Sequence, residues 1–265
     1  MCCCRQKDCS EMKAAARRVV WFSCGAASAI AAKMAVQTHQ NVEVVYCDLF
    51  SDEHPDNRRF FNDVQNWIDQ KITVIRSEKF ASIDEVFAAA RYLSNIHGHA
   101  KCTVEMKKVP RFAYERRDDI HIFGFTSDEQ HRISRFNEMN PGLSTEWMLA
   151  DRSITKDDCF QILQSASIDL PIMYVLGYRN NNCLGCVKAT SANYWNMIRR
   201  DFPEVFARRV AQSREYGARL TRVRDERVFL DELPEDYLPA EPLENISCGF
   251  DCEDEQLSLH TLFAT

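Results

Sequence analysis

The chain has 265 residues, 45% of them apolar and 27% charged, and its 33 basic and 39 acidic side chains give a formal net charge of −6. Those proportions describe a folded globular protein and exclude a fibrous or wholly disordered one. The 12 cysteines are fewer than the roughly 8–10% of a disulfide-built scaffold, and neither a signal-peptide pattern nor a run of about 18 apolar residues occurs. The expectation is therefore a cytoplasmic protein without membrane contact. In that reducing setting, closely spaced cysteines point to metal or thiol chemistry.

Charge divides the chain. Residues 225–265 hold 12 acidic side chains and one basic one, leaving 32 basic against 27 acidic in residues 1–224. Three regions follow: a loose Cys-rich leader (1–16, with Cys2, Cys3, Cys4 and Cys9), a mildly basic body (17–217) and an acidic tail (218–265). The composition of the tail, with Pro234, Pro239 and Pro242, suits a solvated extension.

Arg18 to Phe22 is a short β-branched and aromatic run, predicted as a buried strand. It meets the small residues Ser23-Cys24-Gly25-Ala26-Ala27-Ser28 and then an alanine-rich helix, Ala29 to Thr38. Val42 to Cys47 reads as a second strand. Phe60, Phe61, Val64, Trp67 and Ile68 recur as one face of a helix. Ile72 to Ile75 is a third strand, Ile83 to Leu93 a helix, and Ile120 to Phe125 a fourth strand. Thr155 to Ser167 and Ser191 to Gly217 are predicted helical. Strands alternating with helices predict an α/β fold: a parallel sheet with helices on both faces, a helical C-terminal part and the acidic tail. Ligands of such sheets bind beyond the carboxyl ends of the strands.

Small residues where a strand turns into a helix let backbone amides approach an anion, and the helix adds its positive end. The loop lacks the lysine of GxxxxGK[ST]. It looks like a variant of the SGGxDS phosphate loop. Further segments accompany it in order: Tyr46-Cys47-Asp48 with Glu53-His54-Pro55, then Cys102 with Lys107-Lys108-Val109-Pro110. Thr126 to Glu129 with Arg132 comes next, then Trp147 to Leu149 with Asp151. Leu170 to Tyr174, Gly177-Tyr178 and Cys183-Leu184-Gly185-Cys186 complete the series.

Together these segments resemble the phosphoadenosine phosphosulfate (PAPS) reductase family of the PP-loop, adenine nucleotide α-hydrolase-like superfamily, including phage-encoded members. The resemblance implies a Rossmann-like fold, residence in a bacterial cytoplasm or an infected host's, and homo-oligomers. It implies an adenine nucleotide (PAPS, adenylyl sulfate or ATP) held by Ser23, Cys24, Gly25, Ala26 and Ser28, with Asp48, Lys108 and Arg132. The sequence departs from the family loop at Cys24, in place of a glycine, and at Ala27, in place of an aspartate that would organise Mg²⁺. Asp48 and the Asp52/Glu53 pair are the substitutes, although Asp52 and Glu53 equally suit a helix N-terminus.

Cys183 and Cys186 form a C-x₂-C turn, open to three readings: metal or cluster ligation, a redox dithiol, and two unrelated buried cysteines. The resemblance adds Cys102, and three thiolates would hold a [4Fe–4S] cluster with one open iron. Cys183, Cys186, Cys248 and Cys252 would instead make a closed zinc site, and His97 and His99 beside Cys102 are further ligand candidates. Cys248-Gly249 also resembles the family's C-terminal nucleophile, which would make Cys248 catalytic with a protein reductant as partner, although the acidic residues after it oppose a thiolate. The arginines from Arg199 to Arg224 read either as a nucleic-acid-tracking surface or as a salt-bridged one.

Three functions remain. One is a nucleotide-dependent enzyme of sulfur transfer or reduction beside a cysteine-bound metal centre. The second is an ATP-dependent thiolation of a nucleic-acid acceptor. The third is a degenerate nucleotide-binding or protein-interaction module with structural zinc.

Overall fold

The computed structural model describes residues 16–93, 100–237, 239 and 246. Among these, five strands form one sheet in the order β3-β2-β1-β4-β5, every pair parallel: β1 (Arg18–Phe22), β2 (Val42–Cys47), β3 (Ile72–Ile75), β4 (Ile120–Ile122) and β5 (Ser144–Glu146). The helices are α1 (Ala26–Thr38), α2 (Asn57–Ile68), α3 (Ile83–Ala90), α4 (Lys101–Thr103), α5 (Val109–Tyr114), α6 (Gln130–Met139), α7 (Lys156–Ser165), α8 (Ile172–Val175), α9 (Ala192–Asp201) and α10 (Pro203–Glu215). This is a Rossmann-like α/β fold, as the alternation predicted.

The central strand shows why. Val19, Val20, Trp21 and Phe22 are all buried, yet successive side chains leave opposite faces of a strand. Val20 and Phe22 join Val44, Tyr46 and Ile122 under α1, α2 and α7. Val19 and Trp21 join Val45, Phe123 and Phe136 on the other face, beside α6 and Tyr114 of α5. Both faces are covered, so the strand reads as an unbroken apolar run.

A third apolar cluster lies beyond the sheet. It joins α3, α9 and α10 with the Cys183–Cys186 turn. The long helical stretch predicted from Ser191 is two helices, because Phe202 leaves helical geometry and Pro203 opens α10.

The start of the supposed acidic tail requires correction. Residues 221–223 and 226–228 form an antiparallel hairpin, β6 and β7, turning at Arg224 with φ +55°. Ala218, Leu220, Leu230 and Leu233 are buried in the third cluster. Tyr237 closes the segment, its hydroxyl accepting from the Arg224 amide at 2.7 Å. The apolar side chains at 218, 220, 230 and 233 outweigh the acidic composition around them. Among the described residues no helix is long and apolar enough to cross a membrane.

Candidate functional site

β1 is followed in the sheet by β2 on one side, and β4 by β5 on the other, so the chain leaves the adjacent strands β1 and β4 in opposite directions. A crevice forms at such a switch point, outside the carboxyl ends of the strands. Here it is a cleft enclosing about 1210 Å³, part of it open to solvent. Ser23, Gly25, Ala27 and Ser28 make one wall and Phe123 to Thr126 the other, with Arg132, Lys156, Tyr174 and Asn180 to Asn182 around them.

The loop after β1 turns through Cys24, at φ +53°, and Gly25, extended, before α1 begins. No side chain caps that helix, so its first amides and the positive end of its dipole face the cleft. The Ser28 hydroxyl closes the turn: it donates to the Gly25 carbonyl at 2.9 Å and accepts from the Ser23 amide at 3.1 Å. Desolvation pushes the Tyr174 phenol up to about 12, with the nearby backbone amides of Ala26 and Asn181 opposing the rise. Gly124 permits the two walls to meet, because a Cβ there would lie 2.6 Å from the Ser28 nitrogen.

Beneath the loop runs a buried polar chain. Tyr46 donates to Glu53 Oε2 at 2.9 Å, and Asn57 Nδ2 donates to the same oxygen at 2.7 Å. Asn181 Nδ2 donates to Asn57 Oδ1 at 2.9 Å and to the Cys24 carbonyl at 2.7 Å. Desolvation, reinforced by the Glu53 charge, pushes the Tyr46 phenol far above its usual range.

The site residues expected from sequence divide accordingly. Ser23, Gly25, Ser28 and Arg132 line the cleft. Arg132 is paired with Glu129 and lies over the Phe125 ring, 4.4 Å from its centroid. Cys24 and Ala26 are fully buried and contribute main chain only; the Cys24 thiol faces the Asn57 carbonyl at 4.0 Å, and burial raises its pKa strongly. Asp48 does not join them. It pairs with Arg76 at 3.5 Å and lines a separate depression outside β2 and β3. Lys108 is buried on a π-helical turn, residues 104–108, and its neighbour Lys107 reaches the cleft instead. Of the carboxylate pair, Glu53 lines the cleft, while Asp52 accepts from the Ile83 amide at the start of α3.

Cys183 and Cys186 are both buried in the third apolar cluster, and Cys102, half-buried, packs against it. Their turn is tightly held. Gly185 sits at φ +63°, where a Cβ would meet Val205 Cγ1 at 2.8 Å, and its carbonyl accepts from Arg209 Nε at 3.0 Å. Cys183 lines a small pocket that shares Arg179, Asn180, Asn182 and Ile246 with the cleft. Asn180 and Asn182 donate to the Ile246 carbonyl at 3.3 and 2.9 Å, while Asn181 between them faces the polar chain. Among the described residues no three His, Cys, Asp or Glu side chains are arranged to hold a metal ion. The rival ligands Cys248, Cys252, His97 and His99 lie outside the described residues. So does the leader with Cys2 to Cys9.

Four arginines of the stretch are ion-paired: Arg208 and Arg209 with Asp84, Arg200 with Asp201, and Arg214 with Asp231 and Glu232. Lys156, Arg179 and Asn181 were not singled out from sequence. The signal available is the Asn180-Asn181-Asn182 run before Cys183, whose composition by itself suits a turn. Burial lowers the Lys156 pKa, and its Nζ donates to Asn180 Oδ1 at 3.1 Å. The fold and site define an α/β protein with a ligand-sized crevice at the switch point of a parallel sheet. In comparison with known proteins, the chain matches no family model and no curated sequence.

Proposed function

We propose that the protein is an adenine-nucleotide-dependent enzyme of sulfur chemistry, similar to the PAPS reductases, with the nucleotide's anionic end at the Ser23–Ser28 loop. The observation carrying this reading is that the pocket beside Cys183 shares four wall residues with the cleft, so a buried thiol adjoins the proposed nucleotide site. The α1 amides, which no N-cap side chain takes up, and the cations Lys107, Arg132, Lys156 and Arg179 suit a phosphate or sulfate. The chemistry itself falls to sulfur: a thiolate from the Cys183/Cys186 pair, or Cys248, which follows Ile246 by two residues in sequence, attacks the sulfuryl sulfur and displaces the nucleotide. A second thiol, from the pair or from a protein reductant, then attacks the resulting cysteine S-sulfonate, releasing sulfite and leaving a disulfide.

A cluster or zinc held by Cys102, Cys183 and Cys186 remains part of the proposal. The three side chains share an apolar cluster without forming a ligand group among the described residues. Ala27, which brings no carboxylate of its own to the loop wall to organise Mg²⁺, favours a second reading: a module that holds a nucleotide without turning it over.

The test is equilibrium binding and turnover with ATP, adenylyl sulfate and PAPS, following pyrophosphate, AMP and sulfite. Anaerobically purified protein is assayed for iron, sulfide and zinc alongside. The enzyme reading expects product from one nucleotide and its loss in Cys183→Ser or Cys248→Ser. Binding without product gives the module; no binding to any of the three overturns both.

A further inference from the structure

The polar chain beneath the cleft fixes the orientation of one amide whose other end has no partner. The Cys24 carbonyl can only accept, so the Asn181 atom 2.7 Å from it must be Nδ2. Glu53 sets the same polarity from the opposite end. As a carboxylate it only accepts, so Asn57 turns Nδ2 toward it and presents Oδ1 to Asn181. Both hydrogens of the Asn181 amide are thus committed, and a flip would break both bonds. Oδ1 is left as a fixed acceptor. It is buried and has no hydrogen-bond partner among the described residues, and Asn181 is a wall residue of the cleft. A native fold that leaves a buried acceptor unsatisfied calls for an explanation.

We propose that Asn181 is a specificity-determining residue: Oδ1 receives a hydrogen bond from a hydroxyl or amino group of the bound nucleotide. The proposal rests on the nucleotide reading and deepens it. The α1 amides offer donors to an anion, and Asn181 offers an acceptor close by, so the cleft distinguishes the charged end of its ligand from a neutral donor. A phosphate or sulfate oxygen placed at Oδ1 would be repelled. One neutral carbonyl is also a poor cation site, because hard cations gather several oxygens. Oδ1 has no solvent contact, so the ligand must displace a neighbour to reach it.

The adenine and the 2′-hydroxyl are common to ATP, adenylyl sulfate and PAPS, while the 3′-hydroxyl is free only in the first two, PAPS carrying a phosphate there. AMP, 2′-deoxy-AMP, 3′-deoxy-AMP and IMP, the last lacking the 6-amino group, are therefore competed against whichever of the three binds most tightly. For the unmodified protein, one analogue is expected to bind about tenfold or more weakly than AMP, the size of effect from leaving a buried acceptor unpaired. In Asn181→Ala and Asn181→Ser that ratio should collapse toward one, with melting curves reporting whether each variant is folded. Four equal affinities in the unmodified protein overturn the proposal while leaving the nucleotide reading intact; they do so even if neither variant folds. An unchanged ratio in a folded variant does the same. A protein that binds none of the three nucleotides removes both.

Discussion

His121 lies beneath the cleft, 1% exposed, its Nδ1 accepting from Trp21 Nε1 at 2.9 Å and its ring stacked against that indole. Desolvation is the main cause, with the Arg111 and Arg17 charges adding to it and Asp119 opposing it, of a pKa lowered to about 4. The neutral ring is therefore native, and protonation would remove the Trp21 acceptor. Above the unfolded value of ~6.5 both states are neutral and the full stability is present. As pH falls below that, only the unfolded chain takes the proton, and stability declines until about pH 4, where the folded ring protonates too. The loss from this residue is of order 3 kcal/mol across the window. Urea unfolding at pH 7.5 and pH 5 should show it, and His121→Asn, whose amide oxygen can take the place of Nδ1, should flatten the dependence. An equally steep loss in that variant would show that another group titrates.

At the scale of elements, α7 links the sheet to the cleft. Its capping box is complete: Thr155 Oγ1 accepts from the Asp158 amide at 3.2 Å, and Asp158 accepts from the Thr155 amide at 2.8 Å. The next residue, Lys156, reaches the cleft wall. Thr155→Ala is expected to cost about 1 kcal/mol in denaturant unfolding. It should also weaken nucleotide binding, because the turn carrying Lys156 loses its anchor. Unchanged stability would mean that packing of Cys159 and Leu163, not the cap, holds the helix. What the sequence reveals follows the same division. β1, β2 and β3 are legible to the residue because each is built on β-branched and aromatic apolar residues, interrupted only by Arg18, Glu43 and Thr73. Ser144–Glu146 is a polar edge strand with no such run, and the strand predicted through Phe125 ends at Ile122 because Phe123 to Thr126 leave the sheet to wall the cleft. The loop Ser23–Ser28 was visible as a stretch of small residues. Asn181 was not, since its partners Cys24 and Asn57 are 157 and 124 residues away; pairings at that separation leave no local pattern.

For the whole molecule, the question is where the folded body ends. Composition places the boundary near 218, but the packing places it later. Leu220, Leu230 and Leu233 are almost fully buried, and Arg199 donates to the Leu233 carbonyl at 2.7 Å. Asn196 reaches the carbonyls of Pro234 and Tyr237. Burying one leucine is worth ~1.5–3 kcal/mol, so three are comparable to the ~5–15 kcal/mol that holds a typical domain together. A chain ending at Gly217 should therefore lack a cooperative melting transition. A chain ending at Tyr237 keeps all three leucines, the hairpin and the Arg214 pairs with Asp231 and Glu232, and should melt cooperatively. That shorter protein also lacks Ile246, leaving the Asn180 and Asn182 amides without its carbonyl. Its nucleotide affinity should change although its fold does not. Calorimetric melting of the two truncations beside the full chain checks this, and a cooperative, native-like transition in the chain ending at Gly217 would return the boundary to the place that composition alone assigns.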